Sequence, residues 1–77
     1  MMGAWKKRKL IDGQAYAVVA FGNYYGVALC TPGKPLVRVK SIGLRLTQEM
    51  LWPRVARMNS RLGLTPERAA EIAGAAQ

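Results

Sequence analysis

Apolar and polar positions change their rhythm several times along the chain. Gln14 to Phe21 (QAYAVVAF) is short and rich in Val, Tyr and Phe, which predicts a strand. Both of its faces are apolar, so it is expected to be covered on two sides, and those faces leave room for a homodimer. Gly22-Asn23 tolerates positive φ and reads as the two-residue link of a tight hairpin. Tyr24 to Cys30 returns as the second strand, and Thr31-Pro32-Gly33-Lys34-Pro35 reads as a second turn. Leu36 to Leu46 reads as a third strand. Val37 and Val39 face one way, with Arg38 and Lys40 opposite, but after Ser41 the apolar set becomes Ile42, Leu44 and Leu46. A slip of one residue reverses the faces of a strand, so a bulge or break is expected near Ser41 to Gly43.

Past Leu46 the period lengthens to that of a helix. Thr47 suits an N-cap, with Glu49 in the first turn, and a helix from about Gln48 to Leu62 would align Leu51, Val55, Met58 and Leu62. Pro53 removes a donor, so the helix is expected to kink there or to begin there. Gly63 ends it. Thr65-Pro66-Glu67 opens a second helix whose apolar stripe, Ala69, Ile72, Ala73 and Ala76, is shallow. The expected fold class is α+β: an antiparallel three-stranded β-meander followed by two short C-terminal helices. Residues 1–10 read as a basic N-terminal arm and residues 11–77 as a single small domain. A domain of this size buries only about 60% of its unfolded surface, so its core is thin.

Charge sharpens this outline. There are 12 Lys and Arg against four Asp and Glu, a net charge of +8. Eleven of the cations, but only Asp12 and Glu49 of the acids, lie within residues 1–64. So basic a surface on so small a body implies a polyanionic partner: nucleic acid, an anionic membrane or an acidic protein face. The membrane is the weakest of the three. Residues 13–33 carry no charge and follow the basic run Lys6 to Lys9, but Gln14, Gly22, Asn23, Gly26 and three tyrosines lower their hydrophobicity, and Gly22-Asn23 is a turn signal in mid-run. Cys30 is the one cysteine, so no internal disulfide can form, and a reducing, cytoplasmic setting is expected. Following an apolar stretch, it reads as a small buried hydrophobe.

Residues suited to catalysis are scarce. The chain has no histidine, the usual general base and commonest metal ligand. Cys30 has no imidazole to activate it, one cysteine cannot make a zinc site, and Gly33-Lys34 is followed by Pro35 rather than by the Ser or Thr of a phosphate loop. Of the acids, Glu67 and Glu71 share a helix face beside Arg68, which suggests surface ion pairing. The expectation is a protein that is not an enzyme and uses no cofactor or metal.

The basic residues carry more. Arg54, Arg57 and Arg61 fall at spacings of three and four, so on a helix they form one ridge, about 100° around from Leu51, Val55, Met58 and Leu62. The helix can dock its apolar stripe and still present three guanidinium groups, whose forks match phosphate and carboxylate oxygens. A helix face is often solvated surface and nothing more, but ordinary surfaces mix signs, and this one has few acids nearby. Lys6, Lys7, Arg8 and Lys9 form a second candidate, of the kind that adds phosphate or groove contacts to a folded reader, with Trp5 beside them for stacking or anchoring. Arg38, Lys40 and Arg45 could extend the basic surface. Tyr24 and Tyr25 point to opposite faces of one strand. An exposed tyrosine could stack on an unpaired base, although core packing is the commoner role for aromatics.

Leu44-Arg45-Leu46-Thr47-Gln48-Glu49-Met50, followed by a helix, Gly63 and a second helix, resembles ribbon-helix-helix repressors over residues 42–77. That resemblance implies paired strands entering the major groove, while Pro53 and the small side chains of the second helix depart from the pattern. Ala70 to Gly74 is similar to the opening helix and turn of a helix-turn-helix, without a recognition helix after it. The reading that these residues favour is a small basic nucleic-acid-binding regulator, with Lys6 to Lys9 and Arg54, Arg57 and Arg61 on the phosphates. The alternative is a small protein, such as a phage- or mobile-element-encoded inhibitor, that uses the same arginines against an acidic surface of a larger protein.

Overall fold

The structure, a computed structural model, describes residues 13–76. Strands β1 (Ala15–Phe21), β2 (Tyr24–Cys30) and β3 (Val37–Arg38) form an antiparallel sheet in the order β1-β2-β3. A single 3-10 turn at Gln48–Met50 leads to helices α1 (Trp52–Arg61) and α2 (Pro66–Gly74). This is the α+β meander with two C-terminal helices that the residue pattern predicts. In the first hairpin Phe21 pairs with Tyr24 across Gly22-Asn23. Gly22 has φ +66° and Asn23 a negative φ, the sign pattern of a type II′ turn, whose twist suits the flanking strands. At the end of β2 the Lys34 N–H donates to the Thr31 carbonyl at 3.0 Å, closing a turn with Pro32 at its first corner.

The third strand is far shorter than Leu36 to Leu46. Leu29 pairs with Val37, and the Val39 N–H donates to the Val27 carbonyl at 2.8 Å. The next contact joins Tyr25 and Arg45, whose N–H groups and carbonyls exchange bonds of 2.7 and 2.8 Å. Arg45 therefore arrives four residues later than the Leu29–Val37 register requires. The extra residues leave the sheet as a turn in which the Ile42 N–H donates to the Val39 carbonyl, and Ile42 drops into the core. The change of phase after Ser41 is thus a looped-out insertion and not a bulge within one strand. Ile42, Leu44 and Leu46 do not share a buried strand face, since Leu46 is 71% exposed. Residues 44–50 supply one bridge to Tyr25 and a 3-10 turn, and do not form a strand of the kind that the ribbon-helix-helix resemblance implies.

Pro53 decides where α1 begins. It occupies the first turn of the helix, where its missing N–H has no intrahelical acceptor to lose. The helix expected from Gln48 accordingly splits at Leu51, and Thr47 precedes the 3-10 turn without making a side-chain cap. α1 ends in a Schellman motif: the Leu64 N–H donates to the Asn59 carbonyl and the Gly63 N–H to the Ser60 carbonyl, with Gly63 at φ +80°. α2 starts as its residues predict, with the Thr65 hydroxyl accepting from the Arg68 N–H at 3.1 Å and Pro66 in the first turn.

Alternation along β1 feeds two apolar clusters. Tyr16 and Val18 pack with Val27, Ile42, Leu51, Val55 and Met58, the cluster that seats α1. Ala15, which points to the opposite face, packs with Ala69, Ile72 and Leu64, the cluster that seats α2. The two helices therefore straddle β1, an edge strand of the sheet. The Gly33 N–H donates to the Ala75 carbonyl, and Pro32 bridges to Ala76, so the end of α2 is also tied to the turn after β2.

Asn59 joins these parts. Buried within α1 (6% exposed), its carboxamide oxygen accepts from the Tyr16 N–H at 2.8 Å, and its nitrogen donates to the Tyr16 carbonyl at 2.9 Å. One side chain thus supplies what a neighbouring strand would supply. It takes the position on the buried arc that the residue pattern assigned to Leu62, which lies beyond the end of α1 and is half exposed. Replacing Asn59 by Leu keeps similar volume but leaves both Tyr16 groups unpaired. Asn59→Leu is expected to lose about 2 kcal/mol of stability in urea unfolding, through desolvated and unmatched backbone groups. Unchanged stability would mean that water satisfies Tyr16 equally well.

Candidate functional site

Arg54, Arg57 and Arg61 all lie on α1, and all three are exposed. At 100° per residue they occupy an arc of about 60°. Leu51, Val55 and Asn59 hold the opposite side of the helix against the sheet. None of the three arginines makes an ion pair or side-chain hydrogen bond with another described residue. The ion pair among the described residues joins Arg68 and Glu71 on α2. The ridge is therefore anchored at its base and, among the described residues, unneutralised at its tips, which is the arrangement needed to meet several anionic oxygens in a row.

The remaining cations divide. Lys34 and Lys40 are exposed in turns. Arg45 is exposed, but its guanidinium donates to the Leu44 carbonyl at 3.0 Å, which holds it along the chain. The Nε of Arg38 is buried without a hydrogen-bond partner, so this guanidinium is partly turned inward. Lys6, Lys7, Arg8 and Lys9, with Trp5, lie outside the described residues. The sheet cations thus do not simply continue the ridge. Tyr24 is 46% exposed, whereas Tyr25 packs on the first cluster.

On the other flank of α1 lies a feature that the residue pattern missed. A cavity of about 360 Å³ opens between α1, α2 and β1, lined mainly by apolar atoms of Ala17, Trp52, Ala56, Ala69 and Ala73. Trp52, half exposed, forms part of its wall. The available signal is the run of small residues, Ala56 and Ser60 facing Ala69, Ala70 and Ala73, which cannot fill the space between two helices.

Among the described residues no group of three His, Cys, Asp or Glu side chains could hold a metal ion, and no helix is long and apolar enough to cross a membrane. Cys30 is buried at the end of β2, with its Sγ 3.8 Å from the Ala28 carbonyl. No protein-family model, curated protein or solved structure matches the chain.

Burial raises the Cys30 thiol pKa above its ordinary value, so less thiolate is present at neutral pH than in the unfolded chain. Alkylation by iodoacetamide is expected to be slower in the native protein by at least tenfold than in denaturant, and to rise as pH approaches the raised value. Equal native and denatured rates would contradict the buried placement.

Proposed function

We propose that the protein is a small nucleic-acid-binding protein, regulatory and without catalytic activity, that works in the cytoplasm. Arg54, Arg57 and Arg61 grip successive phosphates from α1. The observation that carries this reading is three guanidinium groups, unpaired among the described residues, on one exposed ridge of a helix anchored by its far side. Each arginine offers a planar fork that two phosphate oxygens can accept together, and binding releases counterions condensed on the nucleic acid. Lys6 to Lys9 add further phosphate contacts from the N-terminal arm. Contacts of this kind fix position and affinity, while sequence preference would need base-edge contacts from other side chains.

A second reading keeps the ridge but changes the partner to an acidic surface of a larger protein, whose activity this chain would modulate. The apolar cavity beside Trp52 favours it, because a protein side chain can fill such a space and a phosphate backbone cannot. A stoichiometric protein partner retained after nuclease treatment would support this reading over the first.

The first reading has a numerical test. Three phosphates neutralised on a duplex contribute about 2.7 to the slope of log affinity against log salt, and about 2 on a single strand. Changing Arg54, Arg57 and Arg61 together to Ala is expected to shrink the slope by that amount with duplex or single-stranded DNA or RNA, and to leave the fold intact because all three are exposed. A slope unchanged by the triple substitution, or affinity indifferent to salt, would defeat the proposal.

A further inference from the structure

The helices take up much of both faces of β1 but not its whole edge. Asn59 occupies the Tyr16 N–H and carbonyl, which fixes the direction in which this strand's polar groups alternate. In an antiparallel ladder the groups of Val18 and Ala20 must then point the same way, away from β2. The partner strand agrees: Tyr25 and Val27, opposite Ala20 and Val18, spend their backbone groups on Arg45 and Val39. The N–H and C=O groups of Val18 and Ala20 consequently have no hydrogen-bond partner among the described residues. Natural edges are commonly protected by Lys, Pro or a bulge. β1 has none of these, and residues 13–33 carry no charge at all.

We infer that the open stretch of β1 pairs with the same stretch of a second copy, antiparallel about a two-fold axis at Val19. Val18 and Ala20 of each chain then exchange four backbone hydrogen bonds with Ala20 and Val18 of the other. The register limits the pairing to residues 17–21, because Gly22 of the second copy falls opposite Tyr16, whose groups Asn59 holds, and has to turn away there. Side chains that meet across the seam are complementary in size. Val18 faces Ala20 of the second copy, Val19 faces itself at the axis, and position 21 comes opposite Ala17, with the Phe21 ring turned over Gly26 of its own chain. Two chains of net charge +8 repel, and a charge-free seam is the place where that repulsion acts least. These matches are specific to a second copy, and an unrelated strand would share only the backbone groups.

The product is a continuous six-stranded sheet in which a two-fold axis normal to the sheet keeps both arginine ridges on one side. The pairing stands without the nucleic-acid reading, since none of its contacts involves a cation.

The test is light scattering on the full chain across a concentration series, with amide hydrogen exchange on the same samples. The expected result is a mass rising from 8.4 kDa to twice that value, while the Val18 and Ala20 amides gain protection as dimer forms and Tyr16 is protected throughout. Ala20→Pro removes only an outward-facing donor at an edge, where proline is tolerated, and is expected to weaken the dimer at least tenfold with the circular dichroism spectrum retained. In Val19→Cys, oxidation is expected to join two chains through position 19, because residues facing each other at a non-hydrogen-bonded pair lie about 4.5 Å apart at Cα. A single-chain mass at several hundred micromolar overturns the inference. So does a dimer that leaves Val18 and Ala20 unprotected, or one unaffected by a folded Ala20→Pro chain.

Discussion

Two hydrogen bonds from the carboxamide of Asn59 to the backbone of Tyr16 tie the helical half of this protein to its sheet. Apolar packing alone would let α1 rotate or slide over the sheet, because burial is non-directional. A donor and an acceptor matched to one residue's N–H and C=O allow a single height and a single rotation. The outward positions of Arg54, Arg57 and Arg61 follow from that rotation. So does the placement of Trp52 and Ala56 beside the cavity. The same bonds decide how much of β1 remains open.

The chain is too short for one deep core, and it divides its burial. One cluster lies under α1 and another under α2, with β1 contributing to both through alternate residues. Such a design relies on well-defined connections. The Schellman ending of α1 and the Thr65 cap of α2 leave a short link between the helices, directing α2 to the opposite face of β1. At the far edge of the sheet, the looped-out residues between Val39 and Arg45 bring Ile42 into the cluster under α1, where a regular third strand would not have placed it.

Charge and burial are separated in space. β1 and β2 carry no ionisable acid or base other than tyrosines and Cys30, and the described cations sit on the two helices, on the turns and on the outer strand. The two proposed roles, an anion met by one face of α1 and a second chain met by an uncharged strand edge, would use different physics, one screened by salt and the other driven by backbone hydrogen bonding and apolar contact.

Much of the local structure was legible in residue order. The hairpin at Gly22-Asn23, the second strand with both its ends, the helix-ending Gly63 and the capped start at Thr65 each follow from short-range chemistry: φ preference, a missing donor, a hydroxyl placed to accept. The arginine ridge was legible for the same reason, since a spacing of three and four on a helix fixes angular position. The length of the third strand was not, because the slip after Ser41 is equally compatible with a bulge and with an insertion, and only the pairing of Tyr25 with Arg45 distinguishes them. Nor was the role of Asn59, a polar residue on an apolar arc whose partner lies 43 residues earlier in the chain. Residue order by itself determined the first hairpin, the order of the elements, most of their turns and the helix face that bears the charge, since these depend on neighbours a few residues apart. Tertiary structure alone decided which edge is capped, which remains open and where the cavity forms, because those depend on distant backbone groups meeting in space.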